Sequence, residues 1–177
     1  PEALLLSDQH LPRAEQLCQK TNQFNLRTVR HTLSSLSELA SDANCHSFLI
    51  ALTDRFGNHG TIGLVSATTR GDVAFLDSFI LSCRAFGRHL EAWALHELTT
   101  RLITNGCEWL VAEFLPTERN SVASSFLPNH GFTPIEWESV PTNHSAHKIK
   151  DLVSSDGSPF CANLRALEIP NLEAFES

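Results

Sequence analysis

The sequence predicts an α/β protein with a mixed central sheet flanked by helices, and three stretches carry that prediction. Val73 to Leu81 is an apolar run of strand length, after which Leu90, Trp93, Ala94, Glu97, Leu98, Arg101 and Leu102 recur at helical spacing. Glu108-Trp109-Leu110-Val111-Ala112-Glu113-Phe114 is a second apolar run, reached through Asn105-Gly106, a pair that ends helices. Strand, helix, strand in that order implies a parallel pair at the sheet centre, joined by a crossover of the usual right-handed kind. Upstream, residues 45–54 and 61–67 read as strands separated by Gly57-Asn58-His59-Gly60, a hairpin turn, so their pairing is antiparallel.

Composition bounds the rest. The chain has 177 residues, 42% of them hydrophobic, enough for one domain with a core. The net charge of −7 argues against non-specific nucleic-acid binding and against an anionic membrane surface. No apolar stretch approaches the roughly 20 residues needed to span a bilayer, and the N-terminus lacks a basic-then-apolar signal. The expectation is a cytoplasmic protein. Five cysteines, Cys18, Cys45, Cys83, Cys107 and Cys161, form no C-x-x-C pair, so neither a disulfide framework nor a metal site is signalled.

In chain order, residues 1–10 read as a tail or linker, the opening Pro1-Glu2 suggests a piece of something longer, and 11–177 reads as a single domain. Leu11-Pro12 opens a helix with Ala14, Leu17 and Cys18 inside, running to about residue 23. The polar segment Lys20-Thr21-Asn22-Gln23-Phe24-Asn25 is either a turn rich in side-chain to backbone hydrogen bonds or a substrate-binding edge. A second short helix is expected from Thr32 to about Ala40. Thr117 caps a further helix with Val122, Ala123, Phe126 and Leu127 inside. Strands at 132–137 and 163–169 form a closing hairpin, and the insertion between them, with His144, His147, Lys148 and Lys150, reads as a solvated, mobile loop.

The chemistry gathers where the central strand gives way to a helix, at Ser82-Cys83-Arg84-x-x-Gly87-Arg88-His89. A short loop there aims free backbone N–H groups and the positive end of the helix dipole at one point, a place for anions and developing oxyanions. A thiol at that mouth, followed by Arg84 and Arg88, is expected to have a lowered pKa and to serve as a nucleophile. The competing reading is a small, inert, buried strand residue. His89, Glu91, Asp77 and His59 are the available bases or orienting groups, with Glu91 better explained by its stabilising place in a first helical turn.

Arg84-x-x-Gly87 resembles the acyl-CoA pyrophosphate loop of the GNAT acyltransferase superfamily, whose pattern is Arg/Gln-x-x-Gly-x-Gly/Ala; His89 stands where a small residue is usual. Two helices near the start also suit that fold. The wider wording is similar to the C-terminal half of FkbH-like glyceryl-loading proteins of polyketide assembly lines: Gln19 to Leu26, Asp54-Arg55-Phe56-Gly57, Asp77 to Arg84, Gly87-Arg88, Pro116-Thr117-x-x-Asn120 and Gly131-Phe132. The resemblance runs from about Leu11 to Phe132.

That resemblance implies a glyceryl group, drawn from 1,3-bisphosphoglycerate, carried as a thioester on Cys83 and passed to the phosphopantetheine thiol of an acyl carrier protein. With it come Cys83, His89 and Glu91 as catalytic candidates, Arg84, Gly87 and Arg88 for the phosphopantetheine arm or CoA, and Thr21, Asn22, Gln23, Asn25 and Asn120 for substrate. No permanently bound cofactor is implied. The arm is expected in a groove between the splayed central strands, and Arg13, Lys20, Arg27 and Arg30 near the start, or Arg84 and Arg88 at the loop, could meet an acidic carrier protein. FkbH-like proteins also carry a haloacid-dehalogenase-like phosphatase region with an Asp-x-Asp motif, which is missing here, so such a domain is expected as a partner. A silent carrier-docking module and an acetyl-CoA-dependent N-acetyltransferase are the alternatives. For the latter, the tyrosine expected about four residues before Gly131-Phe132 falls on Leu127, and the chain contains no tyrosine.

Overall fold

In the computed structural model, which describes residues 1–83 and 89–167, the sheet is built around β5, the strand Val73–Leu81, all of whose residues except Asp77 are buried. A strand so apolar must be covered on both faces. On one side follow β4 (Gly57–Arg70), β3 (Cys45–Asp54) and β1 (Glu2–Leu5), all antiparallel. On the other lie β6 (Trp109–Phe114), parallel to β5, then β8 (Ser158–Asn163) and β7 (Thr133–Pro134), antiparallel. The strand order is β1-β3-β4-β5-β6-β8-β7, and the two-residue strand β2 (Phe24–Asn25) joins β5 outside that path. This is the mixed sheet flanked by helices that the sequence predicts.

Alternation along β5 assigns the helices to faces. Ile80 points to one face, where it packs with Ala14, Leu17 and Cys18 of α1 (Leu11–Lys20) and Leu36 of α2 (Leu33–Ser41). Phe79 and Leu81 point to the other, against Leu90, Leu95, Leu98 and Leu102 of α3 (Leu90–Thr104). Helix starts follow local chemistry. Pro12 occupies the first turn of α1, and Thr32 caps α2 in a reciprocal box with Ser35. No helix among the described residues is long and apolar enough to cross a membrane.

Several expectations are corrected. Residues 1–10 are not a tail: Glu2 to Leu5 pair with Ala51 to Phe48, because Ala3-Leu4-Leu5 adds a strand to the open edge of β3. The β3–β4 turn is Arg55-Phe56, closed by Asp54 Oδ1 accepting the Phe56 N–H at 2.8 Å. Gly57 already pairs with Asp54, while Gly60, at φ +69°, sits at the register shift opposite Leu52 and Thr53. The helix expected after Thr117 is instead a loop, one 3₁₀ turn at Ser121–Ala123 and the short α4 (Phe126–Asn129). Ala123, Phe126 and Leu127 are buried as expected, but Val122 is exposed.

The insertion before β8 is packed rather than solvated. Its 3₁₀ helix Ser145–Leu152 buries Ala146 and Ile149 against Val73, Phe75 and Val111. Asp72 anchors it, accepting from Lys148 Nζ at 2.5 Å and Ser145 Oγ at 2.5 Å, and those bonds pull the Asp72 carboxyl down to about 2. The closing hairpin is shorter than expected, since β7 has two residues and β8 ends at Asn163; 168 and 169 lie outside the described residues.

Candidate active site

The parallel ladder between β5 and β6 holds for three residue pairs, Val73 to Phe75 with Trp109 to Val111. Beyond them the strands part, and residues 24–26 enter the gap. Phe24 and Asn25 pair antiparallel with Leu81 and Ile80, Leu26 N donates to Phe79 O at 3.4 Å, and Leu115 N donates to Leu26 O at 2.8 Å. Arg27 clamps the same segment to both strands. Its Nε meets the fully buried Glu113 carboxylate at 2.6 Å, its Nη1 donates to Asp77 O at 3.2 Å, and its guanidinium lies 4.7 Å from the centre of the Phe75 ring. Phe24 adds an aromatic anchor, with ring centroids 6.0 Å from Phe79 and 5.4 Å from Phe126.

The groove expected between the splayed strands is therefore filled, over these residues, by the chain itself. The physical reason is unmet hydrogen bonding: where β6 leaves β5, the inner edges of both strands need partners, and residues 24–26 supply them. Two apolar residues at strand spacing, Phe24 and Leu26, inside an otherwise polar segment were the sequence signal for this strand.

Asn25 and Asn120, expected to bind substrate, hold this segment in place. Asn120 is fully buried and spends its whole amide internally. Its Nδ2 donates to Asn25 O and to Leu115 O, both at 2.9 Å, and its Oδ1 accepts from Thr117 N at 2.7 Å and Thr117 Oγ1 at 3.0 Å. Asn25 is also buried, and its Oδ1 accepts from Thr28 N at 2.7 Å. Thr28 sits at φ +56°, a conformation that costs a β-branched residue about 1–2 kcal/mol. Each side chain is too fully engaged to reach a ligand.

Cys83 is exposed, one residue past Ser82, whose N–H donates to Ile62 O at 2.8 Å and so ends the pairing with β4. The two residues line a cleft of about 1020 Å³. The end of α1 and the turn after it supply Lys20, Thr21, Asn22 and Gln23 to the same cleft, and the loop after β6 supplies Glu118, Arg119 and Ser121. Three of the five expected substrate residues thus share a cleft with the expected nucleophile. Glu118 and Arg119 were missed, although they occupy the two unspecified positions of Pro116-Thr117-x-x-Asn120: the named positions fold the loop and the unnamed ones face the cleft.

The expected bases are placed elsewhere. His89, exposed and at φ +55°, precedes α3 as its N-cap residue without a side-chain cap bond, and Glu91 follows in the first turn; neither is among the described residues lining the cleft. Asp77 accepts from Thr68 Oγ1 at 2.6 Å, and burial raises its carboxyl above the ordinary range. His59 pairs with Asp54 at 3.0 Å in the β3–β4 hairpin. Arg84, Gly87 and Arg88 lie outside the described residues. Burial pushes three other thiols up, Cys18 and Cys161 to about 11 and Cys45 to about 12, and raises Cys107 as well.

No protein-family model matches the sequence, and no curated protein matches it. The fold, in contrast, has many counterparts. A GNAT-family acetyltransferase from Staphylococcus aureus superposes with a TM-score of 0.66 at 10% identity, over 92% of this chain and 98% of its own. The ribosomal-protein-S18-alanine N-acetyltransferase of Escherichia coli gives 0.63 at 15% identity, over 97% of each chain. The PaiA N-acetyltransferase of Thermoplasma acidophilum, solved in complex with coenzyme A, gives 0.62 at 13% identity, over 92% of this chain and 98% of its own. The chain has the GNAT fold.

Proposed function

We propose that this protein is an acyltransferase in which Cys83 accepts an acyl group as a thioester and passes it to a second thiol. The observation that carries the reading is the place of Cys83: exposed at the end of the central strand, in a cleft it shares with Thr21, Asn22 and Gln23. In the first step the Cys83 thiolate attacks the donor acyl carbon and the donor's leaving group departs with the bonding electrons. In the second, the acceptor thiolate attacks the same carbon and Cys83 leaves as thiolate, so no redox partner is needed. The acyl group is of the glyceryl type and the acceptor is the phosphopantetheine thiol of an acyl carrier protein, as the FkbH-like wording implies. A phosphatase-like domain prepares the donor in that scheme. With residues 24–26 filling the gap between β5 and β6, the arm approaches Cys83 through the cleft.

Acetyl-CoA-dependent N-acetylation is the second reading, favoured by fold similarity to two N-acetyltransferases. Against it stand the buried Leu127 at the usual tyrosine position and the absence of any tyrosine. A catalytically silent module that docks a carrier protein is the third.

Intact-protein mass after mixing with a glyceryl thioester of a carrier protein separates them. A glyceryl adduct on the wild type, absent from Cys83→Ala, supports covalent transfer. An unlabelled wild type that still binds the carrier sinks it in favour of the docking module, and acetylation of an amine from acetyl-CoA by both proteins supports the second reading.

A further inference from the structure

We infer that the cleft beside Cys83 contains a phosphate-binding subsite, formed by Lys20 and Arg119 with the Ser82 hydroxyl, which holds a phosphoryl group of the ligand that reaches the thiol. The inference deepens the acyltransferase reading and rests on it only for what the ligand does next.

Three observations converge. Charge comes first: among the described residues, Arg13, Lys20 and Arg119 line the cleft against a single carboxylate, Glu118, although the chain as a whole carries −7. Such a local excess of cations, in a concave surface of low-dielectric walls, concentrates anions. Second, the cations that matter are uncommitted. Arg13 is tied by Nη2 and Nε to Thr61 O at 2.7 and 3.2 Å, whereas the side chains of Lys20 and Arg119 make no ion pair or hydrogen bond among the described residues. Third, Ser82 lines the cleft, and its Oγ, turned inward and shielded from water, has no hydrogen-bond partner among the described residues. A buried hydroxyl left unsatisfied costs stability, and a turn about its Cα–Cβ bond, which brings Oγ out to a ligand oxygen in the cleft, removes that cost.

The three groups come from different elements: the last residue of α1, the loop after β6 and the end of β5. A tetrahedral phosphate, with several free oxygens pointing in different directions, accepts from three such donors at once. A planar carboxylate is matched by the fork of one arginine. Glu118, next to Arg119, opposes the bound charge and keeps the subsite from holding phosphate too tightly to release it.

The test follows Cys83 alkylation by iodoacetamide, read by intact mass at constant ionic strength, with calorimetry giving the same constants independently of the thiol. Inorganic phosphate and CoA are expected to slow alkylation, and pantetheine, which lacks phosphate, is not; every thiol ligand in the series is used as its S-methyl thioether, so that it does not itself consume iodoacetamide. Lys20→Gln and Arg119→Gln should each raise the half-protecting concentration about 10-fold, and Glu118→Gln should lower it several-fold. Protection by phosphopantetheine but not by acetyl phosphate assigns the phosphate to the carrier arm; the reverse assigns it to the acyl donor. Equal protection of the wild type and both cation variants, or protection by pantetheine as strong as by CoA, overturns the subsite. Glyceryl transfer read in parallel keeps the two readings apart, since its loss with intact phosphate protection removes the acyltransferase reading alone.

Discussion

Asn120→Ala tests the assignment of that residue to architecture. The substitution removes four hydrogen bonds at once, leaving Asn25 O and Leu115 O without their donor and Thr117 N and Oγ1 without their acceptor. Asn25 is buried, so its orphaned carbonyl carries the full desolvation penalty, about 1–3 kcal/mol. The three remaining groups are partly reachable by water and add roughly 0.5 kcal/mol each. The sum is about 2.5 to 4.5 kcal/mol, which for a domain of this length lowers Tm by roughly 10 °C. Urea unfolding gives the free energy, with an unchanged m-value showing that the unfolded state is not the cause. Asn120→Asp keeps the acceptor for Thr117 but sets a second carboxylate oxygen against two carbonyls, and is expected to be at least as damaging. A variant within 0.5 kcal/mol of wild type that has lost glyceryl transfer would refute the reasoning and return Asn120 to the substrate.

Two further outcomes are expected. Iodoacetamide at pH 7.5 should give a single early adduct, on Cys83: the other four thiols are raised by burial, and one at about 11 is ionised to about 3 parts in 10,000. Peptide mapping that finds Cys161 or Cys45 modified as fast would contradict that environment. His31 is buried, with Nε2 2.7 Å from Ser78 Oγ, and burial together with the Arg27 charge holds its imidazole below the ordinary value. Between the lowered folded value and 6.5 the unfolded chain binds a proton that the native state refuses. Stability therefore falls as pH drops through that window, by up to about 1.4 kcal/mol per pH unit. His31→Gln should flatten the slope of the urea midpoint between pH 7 and 5.5, leaving the part due to His46, also lowered by burial.

The proposed subsite shows why the cleft was only half legible in the chain. Thr21, Asn22 and Gln23 announced themselves as a polar run after a helix, and Cys83 by its place at a strand end. Arg119 and Glu118 carried no such mark. They face the cleft because the buried Asn120, bonded to Thr117, turns the loop outward, and its place depends on Asn25, 95 residues earlier in the chain. Asn25 and Asn120 misled for the same reason, since a buried amide spending its capacity on backbone and an exposed amide waiting for substrate look identical in sequence.

By itself the sequence determined what depends on short-range periodicity. The apolar run of β5, the helical stripe of α3 and the second run at β6 specify a parallel crossover, and loosely alternating residues around a tight turn specify the antiparallel β3–β4 pair. Those patterns are local because burial of one face or both repeats every two or 3.6 residues. Only the tertiary structure decided what fills the gap where β5 and β6 part. The two apolar residues at strand spacing, Phe24 and Leu26, are too short a signal to specify a strand alone, and the segment pairs as one because two distant strands leave unpaired edges. The same long-range demand made the first residues a second partner strand of β3 and packed the 3₁₀ helix Ser145–Leu152 onto the sheet.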